Sequence, residues 1–90
     1  MYTSILDFSL IGEGKKCHGP KYIAQEKVKL PSDCSKLCED YVHFVMGLKG
    51  TGGCVGTSCE CWCMEETNQK CQVQDHSNYA VYKHNSVSGG

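Results

Sequence analysis

Cys34-Ser35-Lys36-Leu37-Cys38, then Gly52-Gly53-Cys54, then Cys59-Glu60-Cys61-Trp62-Cys63 carry most of the architectural information in this chain. Side chains four apart share one face of a helix. Side chains two apart share one face of a strand. A helix bearing Cys34 and Cys38 can therefore be bolted twice to a strand bearing cysteines at alternate positions. Eight cysteines in 90 residues is an even count, far above ordinary globular usage. Cross-links of this density build a fold with little hydrophobic core.

The remaining composition agrees with that reading. Chains below about 100 residues bury only a marginal core and commonly rely on disulfides. Large apolar residues are sparse here, with two Phe and one Trp, so one domain is expected. The formal net charge is -1, and all nine cations are Lys. That balance argues against nucleic acid and against nonspecific adsorption to anionic membranes. Without Arg there is no bidentate phosphate clamp. Charge is uneven, however: Lys15, Lys16, Lys21, Lys27 and Lys29 cluster against Glu26, while Glu60, Glu65 and Glu66 gather later.

Disulfides imply an oxidising compartment, so the expectation is a secreted, extracellular protein. Residues 2–11 are apolar but lack a basic start and contain Asp7, so they do not read as a signal peptide, and the chain is expected to be a mature form. No apolar run approaches the length of a membrane span, and no Asn-x-Ser/Thr acceptor is present.

Tyr2, Leu6, Phe8 and Leu10 alternate with polar residues and read as a strand that Gly12-Glu13-Gly14 interrupts. Cys17 to Pro20 reads as a turn, and Lys27 to Leu30 as a second strand or extended arm. Ser32 is placed to cap a helix, with Asp33 in its first turn. Apolar or Cys residues at 34, 37, 38, 41, 42, 45 and 48 extend that helix to Gly47 or Gly50. Cys54 opens a hairpin that turns through Val55-Gly56-Thr57-Ser58 and returns from Cys59 to Met64. Its cysteines face the helix, which turns Glu60, Trp62 and Met64 to the outer face. Tyr79 to Lys83 is a candidate further strand, and residues 86–90 a flexible tail. The domain is expected over residues 1–85, with its core between 17 and 71.

Eight cysteines allow 105 pairings. Geometry favours Cys34–Cys59 and Cys38–Cys61, with Cys17–Cys54 and a local Cys63–Cys71 clasp. The competing register shifts the strand pair by two, giving Cys34–Cys61 and Cys38–Cys63 and leaving Cys59–Cys71. Each bridge is expected to stabilise by about 2 to 4 kcal/mol.

The run from Cys17 through Cys34-Ser-Lys-Leu-Cys38, Gly52-Gly53-Cys54 and Cys59-Glu60-Cys61 resembles the cysteine-stabilised αβ superfamily, which includes arthropod defensins, plant defensin-like peptides and scorpion toxins. The resemblance covers residues 17–63 and implies a small disulfide-rich α+β fold: one helix pinned to an antiparallel β-hairpin or three-stranded sheet. It equates Gly52 with the family's glycine at the close approach to the helix disulfide. The Cys54–Cys59 gap and the aromatic beside Cys61 are similar to long-chain scorpion toxins. A fourth bridge from the hairpin to a C-terminal segment is similar to their insect-selective excitatory branch. The sixteen residues between Cys17 and Cys34, and the fifteen between Cys38 and Cys54, are longer than that pattern.

The resemblance implies binding rather than catalysis. The leading expectation is an ion-channel-modulating toxin. Host-defence action on microbial surfaces and a signalling ligand for a cell-surface receptor are the alternatives. The expected partner is a membrane protein bound by a monomer, with no nucleic acid and no cofactor. The candidate contact residues are Trp62 and Glu60 on the outer sheet face with Tyr79, Tyr82 and Lys83 from the C-terminal arm. Packing under that arm is the competing reading for Trp62, Tyr79 and Tyr82. The Lys15–Lys29 stretch offers a cationic patch or a solvated loop. Cys59-x-Cys61-x-Cys63 with four His also resembles a thiolate metal tract, but no Cys-x-x-Cys knuckle is present. Cysteine catalysis needs an activated thiolate beside His, and every thiol here has a plausible bonding partner.

Overall fold

His43–Gly47 is a strand and not the second half of a helix. In the computed structural model, which describes residues 7–85, the helix α1 covers only Pro31–Leu37. The apolar spacing from 41 to 48 belongs instead to β3 (His43–Gly47), where Phe44, Val45 and Met46 are all buried. A strand covered on both faces has no polar alternate positions, so its apolar run imitates helical spacing. Ser32 does not cap the helix. Leu30 occupies that position without a side-chain bond, and Pro31 opens the first turn, where its missing N–H costs nothing.

The remaining strands are β1 (Phe8–His18), β2 (Lys21–Ala24), β4 (Cys54–Val55), β5 (Ser58–Cys59), β6 (Cys61–Glu65) and β7 (Gln72–His84). Five of the strands form one antiparallel sheet in the order β1-β7-β3-β6-β2, and β4 and β5 form a separate two-residue hairpin. The described residues thus form a small disulfide-rich domain with one short helix and an antiparallel sheet, wider than the expected hairpin or three strands. β1 passes through Gly12-Glu13-Gly14 without ending; the glycines mark bulges instead. Between the pairs Glu13–Ala80 and Lys15–Asp75, Gly14 alone faces His76, Ser77, Asn78 and Tyr79, and Gly14 adopts φ 68°. Cys17 and His18 are strand residues, not a turn. Tyr2 and Leu6, and the expected tail at 86–90, lie outside the described residues. The Lys27–Leu30 arm is represented by one bridge, Val28 to Cys59.

All eight cysteines are bonded, as Cys17–Cys71, Cys34–Cys61, Cys38–Cys63 and Cys54–Cys59. The favoured set, Cys34–Cys59, Cys38–Cys61, Cys17–Cys54 and Cys63–Cys71, is therefore corrected throughout. The helix does bolt twice to one strand, but in the competing register; that alternative's Cys59–Cys71 does not form either. The reason is a break at Glu60. Its N–H donates to the Gly53 carbonyl at 3.0 Å, and its carbonyl accepts from Gly47 N–H at 2.9 Å. This separates β5 from β6, so Cys59 faces Cys54 across the hairpin while Cys61 and Cys63 meet α1. Cys71 lies beside the far end of β1, directly before β7, where Cys17 meets it.

The close backbone approach is also relocated. A Cβ on Gly52 would meet Asn78 Nδ2 at 2.9 Å, not the helix disulfide. Gly47 and Gly53 are the residues that touch backbone to backbone, each occupying the space a side chain on the other would need.

Two apolar clusters lie on opposite faces of the sheet. Phe44, Met46, Cys61 and Cys63 pack under α1 with Val28, Cys34, Cys38 and Cys59. Val45, Met64 and Val81 pack with Cys17 on the other face. Among the described residues, six of the thirteen buried apolar ones are half-cystines, so cross-links occupy core volume that long side chains fill in larger domains.

Candidate binding surface

The backbone clamp on Glu60 fixes where its carboxylate points. Oε1 accepts one hydrogen bond from Trp62 Nε1–H at 3.1 Å and another from the Tyr79 hydroxyl at 2.8 Å. Trp62 and Tyr79 reach it from β6 and β7, which flank β3 in the sheet. Burial pushes the Tyr79 phenol up to about 12, and the Glu60 hydrogen bond and charge add to that effect. Two further rings extend the group. Tyr22 meets Trp62 edge-on at 5.8 Å, and His76 tilts against Tyr79 at 4.9 Å. Tyr22 is itself anchored, its hydroxyl donating to the Cys17 carbonyl at 2.5 Å and accepting from the Cys17 N–H at 3.0 Å. Burial raises the Tyr22 phenol, while its bond to Cys17 opposes the shift. All five residues are half-buried, each with part of its surface in solvent.

Of the expected contact residues, the structure brings together Glu60, Trp62 and Tyr79. Tyr82 lies on the helix face, stacked on Phe44 at 5.1 Å and edge-on to Phe8 at 5.7 Å. Lys83 is exposed on β7, opposite Ser9 and His43. Tyr22 and His76 join the group without having been expected. Tyr22 sits in a run, Lys21-Tyr22-Ile23-Ala24, too short for its alternation to stand out. His76 lies in the bulge of β7, which no local pattern marks.

The Lys15–Lys29 stretch divides between different elements. Lys15 pairs across the β1–β7 ladder with Asp75, whose carboxyl this hydrogen bond and charge hold below the usual range. Lys27 and Lys29 stand instead on the arm before α1.

Among the described residues, two constellations have reactive-looking composition. Ser35 Oγ lies 2.8 Å from His84 Nε2, and His84 Nδ1 donates to the Tyr41 carbonyl at 2.6 Å. That is nucleophile–base spacing, but Ser35 and His84 are 1% and 4% exposed, sealed between α1 and β7. The pair ties the helix to the sheet and offers no surface to a substrate. The sulfurs of Cys34, Cys38 and Cys61 lie within 4.8 Å of one another. Each is consumed in a disulfide, and a metal needs thiolate.

Among the described residues no helix is long and apolar enough to cross a membrane. No protein-family model matches the chain, and no curated protein or solved structure matches it either.

Proposed function

We propose that this chain is an extracellular binding protein of the cysteine-stabilised αβ type, holding a target protein against the preformed face built by Glu60, Trp62 and Tyr79. The observation that carries this reading is the double hydrogen bond at Glu60 Oε1, which locks two aromatic side chains from different strands into one surface. Aromatic groups already fixed before contact lose little entropy on binding, and such residues are the usual energetic anchors of interfaces. Four bridges in 90 residues support an oxidising, extracellular setting. Binding rather than catalysis is favoured because the one hydroxyl–imidazole pair described above is closed to solvent.

The superfamily reading is supported by the two bolts, one from within α1 and one from its C-cap, to alternate residues of β6. The five-stranded sheet and the Cys17–Cys71 clasp extend beyond the helix-and-hairpin core of that pattern. On the same resemblance the target is a membrane protein, with an ion channel ahead of a signalling receptor or a microbial surface. The dispersal of Lys15 away from Lys27 and Lys29 weakens the host-defence alternative, which needs one cationic face.

The test applies oxidised, fluorescently labelled protein to excitable cells while recording voltage-gated currents. The reading expects saturable surface binding and altered current, both lost in Trp62→Ala with all four bridges intact. Saturable binding without any change in current transfers the target to a receptor. Absence of saturable binding, or binding indifferent to Trp62→Ala, overturns the proposed surface.

A further inference from the structure

A second surface lies on the other side of the molecule's cysteine staple. A groove of about 400 Å³ runs between the 26–29 arm and α1, lined by Lys27, Val28, Lys29, Asp33, Lys36 and Leu37. Its lysines are exposed, and among the described residues none of the three forms an ion pair or a side-chain hydrogen bond. Leu37 leaves 37% of its surface open, and neighbouring Leu30 leaves 54%. The groove therefore combines free positive charge with apolar contact area.

The backbone of the arm adds a third property. Val28 exchanges both its amide bonds with Cys59, at 2.8 and 2.7 Å. A residue that does so turns its own N–H and C=O toward its partner strand, and its two neighbours turn theirs away. Lys27 thus presents its amide groups outward, before the chain bends at Lys29, and among the described residues the amide groups of Lys27 and Lys29 make no backbone hydrogen bond. An extended chain can pair with such an edge and set its side chains by alternation.

We propose that this groove docks an extended acidic segment of a partner protein, with its backbone along the open edge at Lys27, its carboxylates at Lys27, Lys29 and Lys36, and an apolar side chain against Leu37. The inference rests on the reading of the chain as a binding module, and it concerns a different face from Glu60 and Trp62. Glu26 and Asp33 stand among the lysines. That alternation matches a peptide whose charges are spaced by apolar residues. It opposes the uniform charge of a sulfated polysaccharide or an anionic membrane, as does the net charge of -1.

The experiment titrates isotope-labelled, oxidised protein with a short alternating Glu–Leu peptide and follows backbone amide resonances. A Lys–Leu peptide, heparin and phosphatidylserine vesicles serve as comparison probes. The expected result is saturable, salt-weakened binding of the Glu–Leu peptide, with shifts confined to residues 26–29 and 33–37. Affinity falls by roughly tenfold or more in Lys27→Glu/Lys29→Glu, falls likewise in Lys36→Glu, and is unchanged in Trp62→Ala. Shifts elsewhere, equal binding of the Lys–Leu peptide, or binding of heparin or vesicles but not of the Glu–Leu peptide overturns the proposal. If those results accompany Trp62-dependent binding to cells, the groove fails while the binding-module reading stands.

Discussion

Glu60 and Tyr79, nineteen residues apart in sequence, are joined by a 2.8 Å hydrogen bond in which the phenol donates and the carboxylate accepts. The bond stabilises the protonated phenol twice over. It occupies the proton, and it places a negative charge where phenolate would otherwise form. The Tyr79 phenol is pushed up to about 12, with burial as the largest cause.

A pH dependence follows from that shift. A group whose folded pKa lies above its unfolded value contributes stability that is fully present below the unfolded value and is lost as pH rises through the folded one. Here the contribution is complete below pH 10, the ordinary phenol value, and disappears as pH climbs toward about 12. The phenolate absorbance titration of the folded protein is expected to show its last step near pH 12, and Tyr79→Phe is expected to remove that step. Tyr22 and Tyr82 are also raised by burial above the ordinary phenol value. A highest step that survives Tyr79→Phe contradicts the arrangement at Glu60.

The four bridges do not contribute equally. Cys17–Cys71 spans 54 residues, whereas Cys54–Cys59 spans 5. Loop-closure entropy assigns about 4 kcal/mol to a loop of the first size and about 2 kcal/mol to the second. Replacing Cys17 and Cys71 together by Ser is expected to lower the denaturant midpoint well below that of the Cys54→Ser/Cys59→Ser variant. The reverse order, measured by denaturant unfolding, contradicts the placement of Cys17–Cys71 as the clasp on the long β1–β7 ribbon.

Gly47→Ala tests the backbone crossing that positions Glu60. The added methyl would overlap the Gly53 peptide, and a methyl on Gly53 would overlap Gly47 in turn. Backbone cannot swing aside as a side chain can. A loss of about 2 kcal/mol is expected, together with a shifted Trp62 emission, because Gly47 N–H also holds the Glu60 carbonyl. Unchanged stability and emission would show that the crossing is not tight.

How far the chain could be read from its residues differs between elements. The double bolt was legible, because Cys34 and Cys38 share a helix face and alternate cysteines share a strand face. Its register was not. Cys59, Cys61 and Cys63 offer two equivalent alternate pairs, and the choice is made by the break at Glu60, a tertiary contact with Gly47 and Gly53. The strand β3 was hidden by its own burial, since Phe44, Val45 and Met46 leave no polar alternation to detect. The first part of β7, Gln72 to Asp75, is exposed and holds a single apolar residue, Val73, too little to mark a period. For the candidate surface, alternation in β6 placed Trp62 opposite the cysteine face, where Met64 packs in the second cluster. Tyr79 was named as a residue of that surface, but its bond to Glu60 required the sheet order. Tyr82 and Lys83 follow Tyr79 so closely that sequence grouped them with it, although Tyr82 points toward α1's face and stacks on Phe44.

The placement of Glu60 and Trp62, and of the cluster under α1, hangs on the register of α1 against β6. Partial reduction followed by cyanylation, cleavage and mass spectrometry identifies which cysteine of the 59–63 run is bonded to each helix cysteine. The expected map joins Cys34 to Cys61 and Cys38 to Cys63, with Cys54–Cys59 and Cys17–Cys71 completing it. A map joining Cys34 to Cys59 and Cys38 to Cys61 would move β6 by one alternate pair, and would contradict both the fold and the surface built on Glu60.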